Sequence, residues 1–194
     1  KKLTLVAWEN MNYKNGRELL HIFNKNNEMA GYCGVQHALQ LLGIDGQYGP
    51  KRKVAVISQG SVSRGAIFAL KGHSFSDITV YTQRPSFLVA NKIPGVQYKQ
   101  IIKNNKGELN TLNLFMEKTP LLNELIAADI IVNGILQDIS NPVNFIKDND
   151  IEKIDEDFTN SKYNITYSNL PLYFLGDLKS ISYDVSYDLF KEKD

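Results

Sequence analysis

A short apolar segment that runs directly into a glycine turn constrains the fold of this chain more than any other feature. Residues 54–57 read Val-Ala-Val-Ile, an uninterrupted apolar run that is typical of a buried parallel strand. Residues 62–71 follow with helical apolar spacing, and residues 78–81 form a second strand rich in β-branched side chains. A strand, a tight turn, a helix and a strand within about 30 residues make a βαβ unit. We therefore expect two parallel strands joined by a right-handed crossover.

The turn between this strand and helix has the residues that a phosphate site needs. Gly60 leaves room for the main chain to approach a pyrophosphate, and the helix directs its free amides and positive dipole end toward the phosphates. Two serines add hydroxyl donors, an arginine adds charge, and Gly65 with Ala66 lets the helix lie close to the sheet. The predicted cofactor-binding residues of the turn are therefore Gly60, Ser61, Val62, Ser63, Arg64 and Gly65.

The turn departs from the standard G-x-G-x-x-G pattern of dinucleotide sites. If Gly60 is the second glycine of that pattern, Ser58 stands at the first position and Ser63 at the third. An imperfect glycine pattern is a weak signal, and an ordinary strand–helix turn is the alternative. The βαβ pattern on both sides of the turn favours the dinucleotide interpretation.

The end of the second strand favours NADPH over NADH. An NAD site usually has an acidic residue there, about 20 residues beyond the turn, whereas an NADP site has a cation for the 2′-phosphate. The strand here runs into Thr82, Gln83 and Arg84 and offers no carboxylate. Arg84 lies 84 − 60 = 24 residues beyond Gly60, and arginine matches phosphate in a forked geometry. We therefore expect Thr82 and Arg84 to contact NADPH; a solvated surface arginine is the alternative.

A third apolar strand, predicted at residues 129–134, completes the fold prediction. It ends in Asn133 and Gly134, which in an open α/β sheet would lie beside the nicotinamide or its ribose, with a plain strand exit as the alternative. The predicted fold class is α/β, a Rossmann-like, doubly wound and mostly parallel sheet with flanking helices. The predicted units are a connecting strand and long helix (1–50), a dinucleotide-binding domain (51–157) and an unassigned C-terminal extension (158–194).

The other predicted elements depend on weaker patterns. Before the βαβ unit we expect a strand at residues 3–8, a polar loop at 9–17 and a helix over 18–42 that ends at Gly43. Between the second and third strands the pattern favours a strand within 95–102, a turn at 104–107 and a helix over 112–127 that Pro120 interrupts. Beyond the third strand we expect partial helix at 145–156 and short strands near 173–175 and 181–185.

Composition excludes several other classes of function. The 194 residues carry a formal net charge of +1, which argues against nucleic acid or a membrane surface as the main partner. No apolar run reaches the roughly 18 residues that span a bilayer, and no residue spacing suits a zinc or calcium site. The single cysteine, Cys33, excludes an internal disulfide and is typical of a reducing cytoplasm, where we expect the protein to reside.

Four segments of the chain resemble the alanine dehydrogenase/transhydrogenase superfamily and, within it, the carboxyethylornithine synthases. The segments are residues 5–9, 27–31, 60–66 and 131–140. The most specific parts are the Ser-Arg-Gly-Ala end of the glycine turn and the Val-Asn-Gly-Ile end of the third strand. The resemblance covers roughly residues 3–157, and the stretch after Asp157 does not match.

The resemblance implies an NADP-dependent oxidoreductase of amino-acid metabolism that acts on CH–NH bonds. Such an enzyme condenses pyruvate with the side-chain amine of ornithine or lysine, and NADPH then reduces the imine. The resemblance also implies a homo-oligomer, and it places the catalytic basic residues in a preceding domain, so that this chain is the NADP-binding portion.

No catalytic acid or base can therefore be named from the sequence. His21, His37 and His73 are candidates by residue type alone. A non-catalytic NAD(P)-binding or regulatory module is the main alternative function. An S-adenosylmethionine-dependent methyltransferase is a third, which the lack of an acidic residue at the end of the second strand disfavours.

Overall fold

The computed structural model describes residues 4, 6, 11–15, 18–105, 107–135, 143–146 and 163–166. It has a mixed α/β fold in which a mostly parallel sheet is flanked by helices. The strands described are β1 (Asn12–Asn15), β2 (Glu18–His21), β3 (Lys53–Ile57), β4 (Asp77–Thr82), β5 (Gln97–Lys103), β6 (Leu109–Leu112), β7 (Lys118–Pro120), β8 (Ile130–Asn133) and β9 (Tyr163–Thr166). The α-helices described are α1 (Asn24–Leu42), α2 (Ser61–Gly72) and α3 (Leu121–Ile126).

The main sheet, among the described residues, has seven strands in the order β7-β6-β5-β4-β3-β8-β9. In the part of the sheet that runs β5-β4-β3-β8-β9, every neighbouring pair of strands is parallel. At the other edge, β6 pairs antiparallel with both β5 and β7. The chain therefore builds the parallel part outward in one direction through β3, β4 and β5. It then returns to the other side of β3 with β8 and β9.

The predicted βαβ unit is confirmed as β3, α2 and β4, with β3 and β4 parallel. β3 is apolar on both faces because each face of the sheet is covered there. Val54 and Val56 belong to the core beneath α1 and α2, whereas Ala55 and Ile57 belong to a second core that includes α3. Burial on both faces explains the uninterrupted apolar run that the sequence shows there.

Helices α1 and α2 pack closely against each other at two glycines, Gly31 and Gly65. A Cβ added at Gly65 would lie 1.7 Å from the Glu28 carbonyl oxygen, and one added at Gly31 would lie 1.9 Å from the Val62 carbonyl oxygen. The expectation that Gly65 lets α2 approach the sheet is therefore wrong, because this glycine faces α1. The close approach of α2 to the sheet occurs at Gly134, where an added Cβ would lie 2.1 Å from Ser63 Oγ.

Two antiparallel hairpins replace predicted helix or loop. β1 pairs with β2 where the sequence suggested a polar loop and the start of a helix, so α1 begins at Asn24, although it ends at Gly43 as predicted. The end of β6, a turn and β7 occupy residues 112–120, the first part of the predicted helix over 112–127. Within that stretch the helix begins after Pro120 and has six residues.

The other weak predictions have mixed outcomes. The strand expected within residues 95–102 is confirmed as β5, and the third apolar strand is confirmed as β8. β9 lies in the stretch that the sequence left unassigned, and it pairs with β8. Three predictions lie largely or wholly outside the described residues: the strand at 3–8, the partial helix at 145–156 and the strands near 173–175 and 181–185.

Among the helices of the described residues, none combines the length and the apolar character that a membrane crossing requires. In the same part of the chain, no group of three or more His, Cys, Asp or Glu side chains is arranged to hold a metal ion.

Candidate functional site

The candidate site lies at the carboxyl ends of β3, β4 and β8, where the predicted cofactor residues meet. Ile57 at the end of β3 is in register with Tyr81 of β4 and with Asn133 of β8. Beyond the strands, the Ser58 amide donates to the Tyr81 carbonyl at 2.8 Å, and the Gly134 amide donates to the Ile57 carbonyl at 3.0 Å. These bonds hold the three strand ends side by side. We call the space that they border the crevice.

The amino end of α2 supplies free backbone donors to the crevice. No side chain caps this helix end, and the first hydrogen bond of the helix runs from the Arg64 amide to the Gly60 carbonyl. The amides of Ser61, Val62 and Ser63 precede that bond. The helix end therefore carries the partial positive charge that attracts anions. The neighbouring strand ends, residues 82–84 and 133–134, contribute no carboxylate against it.

Gly60 lies at the helix start in an extended conformation, with φ −73° and ψ 179°. Any residue can adopt this backbone, so conformation does not demand glycine there. An added Cβ would meet only Ser58 Oγ, at 3.6 Å. The lack of a side chain at Gly60 thus keeps the surface above the turn open for a ligand to approach the main chain.

Ser58 provides the unusual backbone of the turn. Its φ is +93°, which a side chain rarely allows, and it stands at the position of the first glycine in the standard dinucleotide pattern. The Ser58 hydroxyl accepts a hydrogen bond from the Gly60 amide at 3.2 Å. One main-chain donor of the turn is therefore already occupied by the protein's own side chain.

Ser63 and Arg64 use their side chains within the protein. The Ser63 side chain is fully buried, and its hydroxyl donates to the Ile57 carbonyl at 3.4 Å. The Arg64 guanidinium donates to the Asn91 carbonyl at 2.8 Å and lies 5.7 Å from the centre of the Phe68 ring. Both residues therefore stabilise the turn and its surroundings. Because the whole of Ser63 is buried, the half-buried Ser61 and Val62 are the residues whose amides are available at the helix end.

Thr82 and Arg84 follow the β4 strand end at the same edge of the sheet. The Thr82 side chain is buried, and its hydroxyl accepts a hydrogen bond from the Arg84 amide at 3.3 Å. Arg84 itself is exposed, and its guanidinium has no acceptor among the described residues. Of the two arginines near the crevice, Arg84 is thus the one that can bind an anion without breaking an existing bond.

Asn133 and Gly134 form the corresponding end of β8. Asn133 is buried, and its Oδ1 accepts a hydrogen bond from the Ile135 amide at 3.2 Å, which leaves its Nδ2 as a donor. Gly134 is required by packing, because Ser63 of α2 occupies the space that a side chain would need. The strand end and the helix start are therefore fitted to each other.

Gln59, between Ser58 and Gly60, is the feature of the turn that sequence reasoning missed. Both polar atoms of its carboxamide, Oε1 and Nε2, are buried and have no hydrogen-bond partner. Buried polar groups in proteins are nearly always paired, because each unpaired group costs about 1–3 kcal/mol. The only sequence signal was its place between Ser58 and Gly60, directly after the central strand.

The three histidines are outside the segments that border the crevice. His73 follows Gly72 as the C-cap of α2, so about 12 residues of helix, or roughly 18 Å, separate it from the helix start. His37 is exposed in the middle of α1. His21 belongs to β2, where its Nδ1 accepts a hydrogen bond from the Phe23 amide. The strand ends themselves therefore carry no imidazole.

A second polar cluster lies on the α3 face of the sheet. The Glu124 carboxylate accepts hydrogen bonds from Lys99 at 2.6 Å, from Tyr81 at 3.1 Å and from Thr111 at 3.4 Å. Burial raises the pKa of Glu124, but Lys99 and the two hydroxyl donors outweigh burial, and the pKa lies below its ordinary value. Burial first, and then the Glu124 charge, raises the pKa of Tyr81.

The Glu124 cluster is a structural ion pair rather than part of the crevice. It borders a cavity of about 240 Å³ whose walls include Lys53, Asp77 and Gln97, the first residues of β3, β4 and β5. The cavity is therefore at the amino edge of these strands, opposite the crevice. The carboxylate already has three donors within the protein.

Comparison with known proteins adds no family assignment. No protein-family model matches the chain. No curated protein matches it either. The resemblance to the alanine dehydrogenase/transhydrogenase superfamily therefore stays a prediction from four short segments.

Proposed function

We propose that this chain binds NADPH in the crevice at the carboxyl ends of β3 and β8. The observation that carries the proposal is the order of the parallel strands, β5-β4-β3-β8-β9. In chain order this is 3-2-1-4-5, the order of a Rossmann-like, doubly wound sheet. In such sheets, ligands bind where the strand order reverses, and here the reversal falls between β3 and β8.

The residues at this point suit a dinucleotide. The amides of Ser61 and Val62 would hold the pyrophosphate at the positive end of α2, above the open surface at Gly60. Arg84 would hold the 2′-phosphate, which distinguishes NADPH from NADH. The buried, unpaired carboxamide of Gln59 is a further sign that a polar group belongs in the crevice.

We further propose that the chain is the cofactor portion of an oxidoreductase that makes carboxyethyl amino acids. NADPH, when bound, would supply the hydride that reduces the imine formed from pyruvate and ornithine or lysine. The chain's own contribution is to bind and orient the cofactor through the turn, and through Asn133 and Gly134 beside it. This part of the proposal depends on the four resembling segments and on no described catalytic group.

Titration with NADPH and NADH, followed by nucleotide fluorescence, tests the cofactor proposal. We expect NADPH to bind more tightly than NADH. Because hydrogen bonds to charged groups contribute about 1.5–3 kcal/mol, Arg84→Ala should weaken NADPH binding by roughly ten- to a hundredfold and leave NADH almost unchanged. Lys51→Ala, which removes the same charge near the amino end of β3, is the matched control and should change neither affinity.

Two results would count against this assignment. Equal affinity of the unaltered protein for NADPH and NADH would contradict the proposal that Arg84 binds the 2′-phosphate. Lack of measurable binding of either nucleotide would contradict the proposal that the crevice is a dinucleotide site. A pyruvate-plus-ornithine assay with NADPH, run in parallel, tests the enzymatic part separately from the binding part.

The positions of the histidines favour a non-catalytic NAD(P)-binding or regulatory module as a second candidate function. His73 lies at the opposite end of α2, His37 is exposed on α1 and His21 belongs to the hairpin of β1 and β2, whereas the described crevice offers hydroxyls, amides and arginines. NADPH binding without turnover of pyruvate and ornithine, even when the preceding domain that the resemblance implies is supplied, would favour this candidate over the oxidoreductase.

A further inference from the structure

Gln59 has the one buried polar side chain, among the described residues, whose hydrogen-bonding atoms are both unpaired. Its carboxamide can donate two hydrogen bonds from Nε2 and accept two at Oε1. Neither Nε2 nor Oε1 forms a hydrogen bond with the described residues. Gln59 lies between the central strand β3 and α2, the helix that borders the crevice. A protein that only needed to fill this space would be more stable with an apolar side chain.

The chemistry of the unpaired group restricts what could satisfy it. A phosphate oxygen only accepts hydrogen bonds, so it could pair with Nε2 but would leave Oε1 buried and unpaired. A cation would do the reverse. A neutral group with a donor and an acceptor on adjacent atoms satisfies both sides at once, and hydroxyls and carboxamides are the common groups of this kind.

We infer that Gln59 is a specificity residue whose carboxamide pairs with a neutral donor–acceptor group of the ligand in the crevice. The inference builds on the proposed NADPH site and adds a contact that neither the pyrophosphate nor the 2′-phosphate makes. NADPH carries such groups in two places, the ribose hydroxyls and the carboxamide of the nicotinamide. Arg84 and the helix end select the charged parts of the cofactor, and Gln59 selects a neutral part.

Replacement of Gln59 by methionine tests this inference, because methionine has nearly the same length and no hydrogen-bonding amide. We expect two opposite effects. The ligand-free Gln59→Met protein should unfold at a higher denaturant concentration than the unaltered protein, because an unpaired buried amide has been removed. Its affinity for NADPH should fall about tenfold, because one or two hydrogen bonds to the ligand are lost.

Gln40→Met is the matched control, since Gln40 is exposed on α1. It should change neither the unfolding midpoint nor the affinity for NADPH. A ligand that carries the 2′-phosphate and both riboses but no nicotinamide, 2′-phospho-ADP-ribose, separates the two sources of the neutral group. An equal loss of affinity for both ligands in Gln59→Met assigns the contact to a ribose, and a loss confined to NADPH assigns it to the nicotinamide.

The outcomes distinguish this inference from the proposal beneath it. Unchanged NADPH affinity in Gln59→Met, with tight binding by the unaltered protein, overturns the role of Gln59 and leaves the NADPH site standing. A lower unfolding midpoint in Gln59→Met also overturns it, because the carboxamide would then contribute to the fold. Failure of the unaltered protein to bind NADPH overturns both.

Discussion

The crossing of α1 and α2 gives the sharpest test of the packing, through the substitution Gly65→Ala. The added Cβ would lie 1.7 Å from the Glu28 carbonyl oxygen, 2.7 Å from its carbonyl carbon and 2.9 Å from the Tyr32 amide nitrogen. All three atoms belong to the backbone of α1, so no side-chain rotation can relieve the overlap. To restore an ordinary contact of 3.4 Å, the two backbones must separate locally by 3.4 − 1.7 = 1.7 Å.

The expected cost follows from that separation. Gaps of about 0.5–1 Å already remove a quarter to a half of the dispersion attraction between packed atoms, and overpacking in a core typically costs about 1–3 kcal/mol, or more where the backbone must move. The better helix propensity of alanine offsets up to about 1 kcal/mol of this destabilisation. We therefore expect Gly65→Ala to lower the free energy of unfolding by about 2 kcal/mol, or the melting temperature by about 4–8 °C for a chain of this length.

Urea unfolding followed by circular dichroism measures this change, and Gly72→Ala provides the control. Gly72 ends the same helix, and an added Cβ there meets no atom within 4 Å. Gly72→Ala should therefore leave stability unchanged or raise it by up to about 1 kcal/mol. If the two variants differed by less than about 0.5 kcal/mol, which is within ordinary surface-substitution effects, the close helix crossing would be refuted.

Three further predictions concern other parts of the fold. Gly134→Ala should lower the unfolding midpoint because its Cβ would overlap Ser63 Oγ, and the double variant with Ser63→Ala should recover most of the loss in the same denaturation assay. Glu124→Gln should cost about 1–2 kcal/mol near neutral pH by weakening its bond with Lys99. The fold lowers the pKa of Glu124, so this stabilisation is fully present above the pKa of the unfolded chain and disappears as the pH falls through the pKa of the folded protein. In urea unfolding at decreasing pH, the free energies of unfolding of Glu124→Gln and the unaltered protein should therefore become equal. Cys33 is exposed and should react at once with a thiol reagent in the native protein, as a colorimetric assay would detect.

The parallel strands could be predicted from the sequence because burial on both faces leaves a continuous apolar run. That signal predicted β3 and β8, and β-branched side chains predicted β4; together they placed the edge of the sheet where a ligand would bind. The two hairpins left no such signal. β1 and β6 are four residues each and include Asn12, Asn15 and Asn110, so their pairing depends on neighbouring strands rather than on their own composition.

The predicted helix over 112–127 is confirmed after Pro120, as α3, but its first part is wrong for an identifiable local reason. Asn113 Oδ1 accepts hydrogen bonds from the amides of Phe115 and Glu117, and these bonds close a turn instead of a helix. Such competition by an asparagine side chain is a known alternative to helical bonding. The apolar residues that suggested a helix, Leu114, Phe115 and Met116, are 75%, 83% and 72% exposed at the tip of that turn.

The candidate site could be predicted by position but not by side-chain role. The strand ends carry Thr82, Asn133 and Gly134 to one edge, as parallel strands require. Ser63 and Arg64 lie in the predicted turn, yet the helix rotates about 100° per residue, and this turns their side chains toward the Ile57 and Asn91 carbonyls. The unpaired carboxamide of Gln59 depends on the burial of its two polar atoms, which no local sequence pattern records.

Ser58 offers a last test, in which stability and binding should change together. Glycine at this position would remove the strain of a side chain at φ +93°, worth about 1–3 kcal/mol, but would lose the hydrogen bond from the Gly60 amide, worth about 0.5–1.5 kcal/mol. Ser58→Gly should therefore be as stable as the unaltered protein or up to about 2 kcal/mol more stable, by urea unfolding.

The same substitution frees the Gly60 amide, which then adds a third donor to those of Ser61 and Val62. If phosphate binds at this helix end, Ser58→Gly should bind NADPH several-fold more tightly than the unaltered protein in the fluorescence titration. Ser58→Ala separates the two effects, because it frees the amide and keeps the strain, so it should bind more tightly and be less stable. Weaker NADPH binding in both variants would mean that the Ser58 hydroxyl itself contacts the ligand, and the assignment of the phosphate to the bare amides would be wrong.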